Sequence, residues 1–537
     1  MPVVSLNMMK RWILLFWFIS VLSACVRVGT ETTPVPATES TSQAWWRNAV
    51  FYEIFVRSFY DTDGDGIGDF NGITQKLDYL KQLGINAIWL MPIHPSPSYH
   101  GYDVTDNYAV NPQYGTLEVF KHFLAEAHKS GIHVIMDLVL NHTSNRHPFF
   151  VDALKGPTSK YYDWYIWSNT QKGSNWHQVT GATPKFYFGL FCDCMPDLNY
   201  NNPEVTAEML KVTNFWLNDI GIDGFRVDAA KHLIEEGDKV ENTPATHEWL
   251  KGFYTAYKRQ NPQAYTVGEV YGAGSSIVKS YTGNQLDQVF NFEMASGFIG
   301  GASGGSNSGI NSALKFSLQD MPDFNFATFL TNHDQNRVIS VFNGELGKAK
   351  VAATMLLTSP GTPFIYYGEE IGMSGVKPDE DIRSPMQWSN QANAGFTVGR
   401  PWRMPNKDYT FVNVSAQQSD PESLFNHYRA LIALRHEHPA LRSEKINLLS
   451  TNNPGVYAVL RTSENEIILV IVNLTGETVS DYALTLEEGV LTKSSYRAES
   501  LFGGGQAEGL NGNGGFSSYK PFEMLSPYGS YIIQLIP

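Results

Sequence analysis

The chain has 537 residues, 53 acidic against 39 basic, for a formal net charge of −14. That balance, with no arginine-rich run, argues against nucleic acid as a partner. Hydrophobic residues at 42% and charged residues at 17% describe an ordinary globular chain whose length asks for a large domain with accessories.

In chain order, Lys10 and Arg11 precede the apolar stretch 12–24, which is too short to cross a bilayer core of roughly 30 Å and suits a signal peptide. It closes on Leu22-Ser-Ala-Cys25, which resembles the bacterial lipobox. The resemblance implies cleavage before Cys25 and lipidation of that cysteine, giving an extracytoplasmic protein anchored to the bacterial cell membrane, at its surface or its periplasmic face. Residues 26–44 turn to Thr, Ser, Pro and Glu without hydrophobic periodicity and read as a disordered tether. Of the remaining cysteines, Cys192 and Cys194 are one residue apart. That spacing argues against a mutual disulfide, and with no ligand cluster beside them they read as local packing residues.

After the tether, short runs rich in β-branched and aromatic residues alternate with amphipathic stretches of helical length. The runs are 50–57, 85–91, 133–140, 224–229, 265–270, 286–292, 327–332 and 363–368. Eight parallel strands separated by helices close most economically as an α/β barrel, because closure leaves no exposed edge. Polar residues cluster at the ends of several runs: Asp137 with Asn141 and His142, Arg226 with Asp228, Glu269, and His333 with Asp334. In a (β/α)8 barrel the carboxyl ends of the strands converge on one face, so these distant residues share one pocket.

The segment 142–199 is too long for a simple loop and is rich in aromatic residues, so it is expected to form an inserted subdomain after the third strand. The last amphipathic helix pattern covers 423–441, and beyond it short strand-like runs separated by Gly, Asn and Ser predict a C-terminal β-sandwich over 443–537. The barrel is thereby assigned to 45–141 and 200–442. Asp61-Thr-Asp-Gly-Asp-Gly-Ile-Gly-Asp69 sets carboxylates at alternate positions with glycines between them. Asp61, Asp63, Asp65 and Asp69 with the Ile67 carbonyl supply most of the oxygens a calcium ion needs.

These motifs together resemble glycoside hydrolase family 13, the α-amylase family, from about residue 45 to the end of the chain. Asp137-Leu-Val-Leu-Asn-His142, Gly224-Phe-Arg-Val-Asp-Ala-Ala-Lys-His232, Gly268-Glu-Val270 and Phe329-Leu-Thr-Asn-His-Asp334 are similar to the family's third, fourth, fifth and seventh strand motifs. Met195-Pro-Asp-Leu-Asn199 is similar to its motif near the end of the inserted domain. The resemblance implies Asp228 as nucleophile, Glu269 as general acid/base and Asp334 as the carboxylate that orients hydroxyls. It implies Tyr102 as an aromatic platform, and His142, Arg226, Lys231, His232 and His333 as substrate-binding residues. It also implies a second calcium, held by Asn141, Asp197 and the His232 carbonyl. A retaining displacement requires the two reacting carboxyls roughly 5 to 5.5 Å apart. Arg226 is expected to keep Asp228 ionised, and the neighbouring carboxylates to raise the pKa of Glu269.

Within that family, Ala229 followed by Lys231-His232, and Tyr99 where exo-glucosidases commonly carry an acid, resemble endo-acting α-amylases. Arg383-Ser-Pro-Met-Gln-Trp388 and Ala394-Gly-Phe396 resemble segments of oligo-1,6-glucosidases, and Met195-Pro-Asp-Leu-Asn199 resembles cyclodextrin- and pullulan-degrading enzymes. The expectation is a monomeric enzyme that hydrolyses α-1,4 links in starch, glycogen and maltooligosaccharides. The alternatives are an α-glucosidase or oligo-1,6-glucosidase, a cyclomaltodextrinase or neopullulanase, and a surface glucan-binding barrel without catalysis.

Overall fold

The computed structural model describes residues 44–179, 186–321 and 323–537. The expected signal segment, Cys25 and all of the tether but Ala44 lie outside the described residues.

Each apolar run folds into a short strand, numbered here in chain order with those of the insertion. β1 (Phe51–Ile54), β2 (Ala87–Leu90) and β3 (His133–Leu138) precede the insertion, which contributes β4 (Trp167–Ser168), β5 (Trp176–Gln178) and β6 (Phe186–Phe188). β7 (Gly224–Val227), β8 (Tyr265–Gly268), β9 (Gln288–Phe290), β10 (Phe326–Thr328) and β11 (Thr362–Tyr366) follow it. The order β1-β11-β10-β9-β8-β7-β3-β2 closes on itself, with β1 paired in parallel to both β2 and β11. The chain is therefore a (β/α)8 barrel.

Alternation along each strand decides which side chains enter the lumen. Phe51, Trp89, Ile135, Tyr265, Val267, Phe290 and Phe364 form one apolar cluster, in which Phe51 and Phe364 stack at 4.2 Å. Their outward neighbours, Ile54, Ile88, Val134, Phe225 and Val227, join the larger cluster that packs the barrel wall against the helices. The inward parity continues upward. Asp137 follows Ile135, Arg226 and Asp228 follow Gly224, and Glu269 follows Val267, so one lumen is apolar below and charged at the carboxyl end.

The strands are shorter than the apolar runs that announce them. The first ends at Ile54, and Val56–Phe59, expected as strand in part, is a turn of helix with all four residues buried. A short buried apolar run carries no periodicity that separates strand from helix. The insertion forms a three-stranded sheet of order β4-β6-β5, and bridges pairing His142 with Asp197 and Tyr165 with Leu198 draw its ends together at the barrel rim.

After the helix Leu424–Glu437, capped by Ser423, the chain forms antiparallel sheets of six and three strands. Their facing residues, among them Val456, Leu469, Ile471, Leu484, Phe516 and Ile533, make a separate core. Buried Arg461 fastens this region to the barrel by donating to the carbonyls of Thr358 and Ser443.

Candidate active site

Arg226 is the centre of the polar end of the lumen. It is fully buried, and its Nη1 donates to Asp137 Oδ1 and Asp228 Oδ1, both at 2.5 Å, while Nη2 donates to Glu269 Oε2 at 2.6 Å. One planar guanidinium thus joins carboxylates from three adjacent strands, a geometry a fork of fixed donors can satisfy and a point charge cannot. Ala229 is left-handed at φ 45°, and its N–H donates to Glu269 Oε2 at 3.2 Å.

Burial is the largest influence on the carboxyls of both Asp228 and Glu269. It pushes Glu269 up, with Arg226 opposing and Asp228 and Asp334 adding to the rise. The expected direction holds, but desolvation outweighs the neighbouring carboxylates. Asp228 is also pushed up by burial, against the pull of Arg226. Arg226 pulls Asp228 down as expected, but burial outweighs it: the guanidinium is divided among three acids, and Asp137 is itself pushed up to about 7 by burial. Asp334 is different. Burial raises it, but His333, Arg383 and Arg226 together bring it below the ordinary aspartate value.

A cleft of about 360 Å³ is lined by Asp228, Glu269 and Asp334 together with Tyr102, His142, Lys231 and His232. Tyr102 stacks on His333 at 5.7 Å, and its hydroxyl meets His333 Nε2 at 2.6 Å. His333 Nδ1 is in turn 2.5 Å from Glu53 Oε1 on β1. His142 Nδ1 pairs with Asn141 Oδ1 at 3.0 Å, whereas its Nε2 is buried without a partner. Burial lowers that imidazole to about 4, so it stands neutral above the cleft floor. Lys231 is held by Glu241 at 2.5 Å and His232 by the Val240 carbonyl at 3.0 Å.

The cleft also holds residues the sequence did not single out. Arg383, far along the chain after β11, donates to Asp334 Oδ1 at 2.8 Å and to Asp379 Oδ2 at 3.0 Å. The segment carrying Arg383 was legible only as a resemblance, because no local pattern says which carboxylate a distant arginine meets. Phe191 is half exposed over the cleft and lies edge-on to His142 and His232. The next residues bring a correction: Cys192 and Cys194 are disulfide-bonded, with Cα atoms 5.2 Å apart. A turn closed by Met195 N–H to the Cys192 carbonyl folds the chain back and brings the two into the range a disulfide spans.

Of the proposed cation ligands, Asp61, Asp63 and Asp65 offer oxygens that all lie within 4.8 Å of one another. Burial raises Asp65 and Asp69, and the other acids of the loop add to the rise. Asp61 is buried and Asp63 and Asp65 are exposed; a hard cation between their oxygens would relieve the repulsion among them. Asp69 belongs to the same loop but also caps the helix Phe70–Gln75 through Gly72 N–H and accepts from Thr62. Ile67 donates its N–H to Asp65. Asn141, Asp197 and the His232 carbonyl converge too, with the Asn141 amide donating to both of the others. Asp197 is pushed well up by burial, and nearby Glu235 adds to the rise, so this buried acid fits a cation or a proton, and a calcium here requires the Asn141 amide to turn its oxygen inward.

A family model described as the α-amylase catalytic domain matches residues 53–444. The chain is 43% identical over 439 residues to α-amylase 3 of Dictyoglomus thermophilum, covering 81% of this chain and 86% of that protein. It is 35% identical over 520 residues to an oligo-1,6-glucosidase of Parageobacillus thermoglucosidasius, covering 81% and 91%. The crystal structure of the α-amylase from H. orenii superposes with a TM-score of 0.78 at 38% identity, covering 91% of this chain and 99% of that one.

Proposed function

The chain belongs to the α-amylase family of glycoside hydrolases, family 13, and from that membership we propose that it cleaves α-1,4 links within starch, glycogen and maltooligosaccharides with retention of configuration. The observation that carries this reading is the single guanidinium of Arg226 bonded to both Asp228 and Glu269 at the floor of an open cleft. Asp334, which also lines that cleft, completes the set.

In this reading Asp228 attacks the anomeric carbon as Glu269 gives its proton to the departing glycosidic oxygen. A glycosyl ester forms on Asp228 and the leaving chain departs as an alcohol. Glu269, now a carboxylate, takes a proton from water, whose oxygen attacks the same carbon and frees Asp228. The upward push on Glu269 favours the proton it gives in the first step. Asp334, held ionised, accepts hydroxyls of the distorted sugar, Tyr102 stacks beneath it, and the neutral His142 lines the same cleft. Arg226 orients both reacting carboxyls, and His333, Lys231 and His232 take hydroxyls along the cleft.

Two features favour internal cleavage. Position 99 carries a tyrosine stacked on Trp402, with no carboxylate to grip a chain end, and Lys231 and His232 line the cleft. The Arg383 segment and the similarity to an oligo-1,6-glucosidase support a second reading, cleavage of short branched oligosaccharides. Product profiles on starch, pullulan and cyclodextrin decide between them: mixed maltooligosaccharides from starch support the first reading, and glucose alone defeats it.

Calcium is proposed at Asp61, Asp63, Asp65, Asp69 and the Ile67 carbonyl, and a second ion at Asn141, Asp197 and the His232 carbonyl. A bound ion would neutralise these oxygens and fix the loops that carry them. Export and lipid attachment through Cys25 are proposed from the sequence motif. Labelled fatty acid on the wild type, and none on Cys25→Ala, is the expected result.

A further inference from the structure

The Asp61–Asp69 loop is bound backbone to backbone to residues 396–402. Trp402 N–H donates to the Gly66 carbonyl at 2.9 Å, and Asp61 N–H to the Phe396 carbonyl at 3.1 Å. Asp61 Oδ2 accepts from Gly66 N–H at 2.8 Å and from the Thr397 hydroxyl at 2.5 Å. A Cβ on Gly66 would lie 1.9 Å from the Arg400 carbonyl oxygen, and one on Gly399 would lie 1.9 Å from that of Gly64. No side chain fits between the segments at these two positions.

Trp402 joins this unit to Tyr99 and Ser58. Its ring stacks on Tyr99 at 5.4 Å, and Arg383 lies over the same Tyr99 ring at 5.9 Å. The indole Nε1 donates to Ser58 Oγ at 3.0 Å, and Ser58 Oγ donates to the Arg383 carbonyl at 2.6 Å. Arg383 Nε then donates to the His333 carbonyl at 2.9 Å while its Nη2 holds Asp334. Two short routes, one aromatic and one hydrogen-bonded, leave the indole and meet at the arginine that positions Asp334.

We propose that Trp402 is a positioning residue that couples cation binding in the Asp61–Asp69 loop to the geometry of Asp334. The inference rests on the proposed cation site. Without an ion, the three clustered carboxylates repel. Because Asp61 is tied to both Gly66 and Thr397, its displacement moves the carbonyl that holds Trp402. With the indole shifted, Tyr99 and Ser58 release Arg383, and Asp334 loses the partner that fixes its carboxylate. A carboxylate misplaced by about an ångström lowers turnover while leaving most substrate contacts intact.

Calcium calorimetry and steady-state kinetics on a maltooligosaccharide, with and without chelator, test this in the full chain, with circular dichroism confirming that each sample is folded. Chelation of the wild type is expected to lower kcat about ten- to a hundredfold with little change in KM. Trp402→Ala is expected to bind calcium with near wild-type affinity yet show the lowered kcat in both conditions. Trp402→Phe, which keeps a ring for Tyr99, is expected to recover part of the calcium response. If Trp402→Ala does not fold, Ser58→Ala, which cuts only the hydrogen-bonded route, must show a weakened response. Calcium binding by the wild type with no change in kcat overturns the coupling alone, as does an undiminished response in either Trp402→Ala or Ser58→Ala. No heat of binding in the wild type, or heat that persists undiminished in Asp63→Ala, overturns the loop as a cation site and the coupling with it.

Discussion

Arg226→Lys keeps a positive charge and a long stem at the bottom of the cleft but removes the fork. In the wild type three contacts of 2.5, 2.5 and 2.6 Å leave two nitrogens in fixed directions toward Asp137, Asp228 and Glu269. An ammonium cannot reproduce those directions, and each charge-assisted hydrogen bond lost costs about 1.5–3 kcal/mol. Because Asp228 and Glu269 must face one sugar ring from defined positions, an error near 1 Å in either lowers kcat by about a hundredfold or more. That factor corresponds to about 2.7 kcal/mol of activation free energy. The variant should also report through pH. Arg226 opposes the rise of both carboxyls, so a weaker cation lets both rise further. The acid limb, where Asp228 must lose its proton, and the basic limb, where Glu269 must keep its own, should both move to higher pH. The assay is kcat/KM on an aryl maltooligosaccharide across pH, with thermal unfolding to confirm the fold. A variant within threefold of wild type, or limbs that move apart or downward, would refute the view that this guanidinium organises the pair.

Asp228→Asn should abolish turnover while oligosaccharide binding, measured by calorimetry, persists; retained hydrolysis would remove Asp228 from the nucleophile's role. The Cys192→Ser, Cys194→Ser double variant should lose little stability, roughly 1.5 kcal/mol for so short a loop. It should raise KM severalfold with kcat nearly unchanged, because the loop carries Phe191 over the cleft; an unaltered KM would show that its hydrogen bonds suffice. Chelation should lower the midpoint of thermal unfolding, since an ion at a hundred times its dissociation constant contributes about 2.7 kcal/mol; a midpoint indifferent to calcium counts against both proposed sites. Buried Glu369 is pushed up to about 8 by desolvation. It therefore binds a proton more tightly folded than unfolded, and its contribution is present below about pH 4.5 and lost as pH rises through about 8. Glu369→Gln should flatten the fall in stability over that window, and identical pH profiles for variant and wild type would contradict the assignment.

The barrel and the carboxylates could be read from the sequence for one shared reason. A strand buried on both faces must be a largely apolar run, and the charged residues of this lumen emerge toward its carboxyl end. Ile135 with Asp137, and Val267 with Glu269, show both rules within three residues. Parity then brings Asp228 and Glu269 into one lumen although 40 residues separate them. No such rule governs residues that reach the cleft from loops. Arg383 is 49 positions beyond Asp334 and arrives there through a long excursion after β11, where neither period nor burial pattern fixes a destination.

The cysteine pair failed for a related reason. Spacing in the sequence measures distance only along an extended chain, and a single turn between Cys192 and Cys194 was enough to bring their Cα atoms to 5.2 Å. The same turn supports Phe191 and Met195 at the cleft wall. What the sequence conceals here is therefore the shape of the wall, while the floor, built on strands, is open to reading. Substrate preference within the family depends on the wall. This is why the motifs identify the glycosidic chemistry firmly, and why the choice between internal cleavage and short branched substrates must come from product analysis.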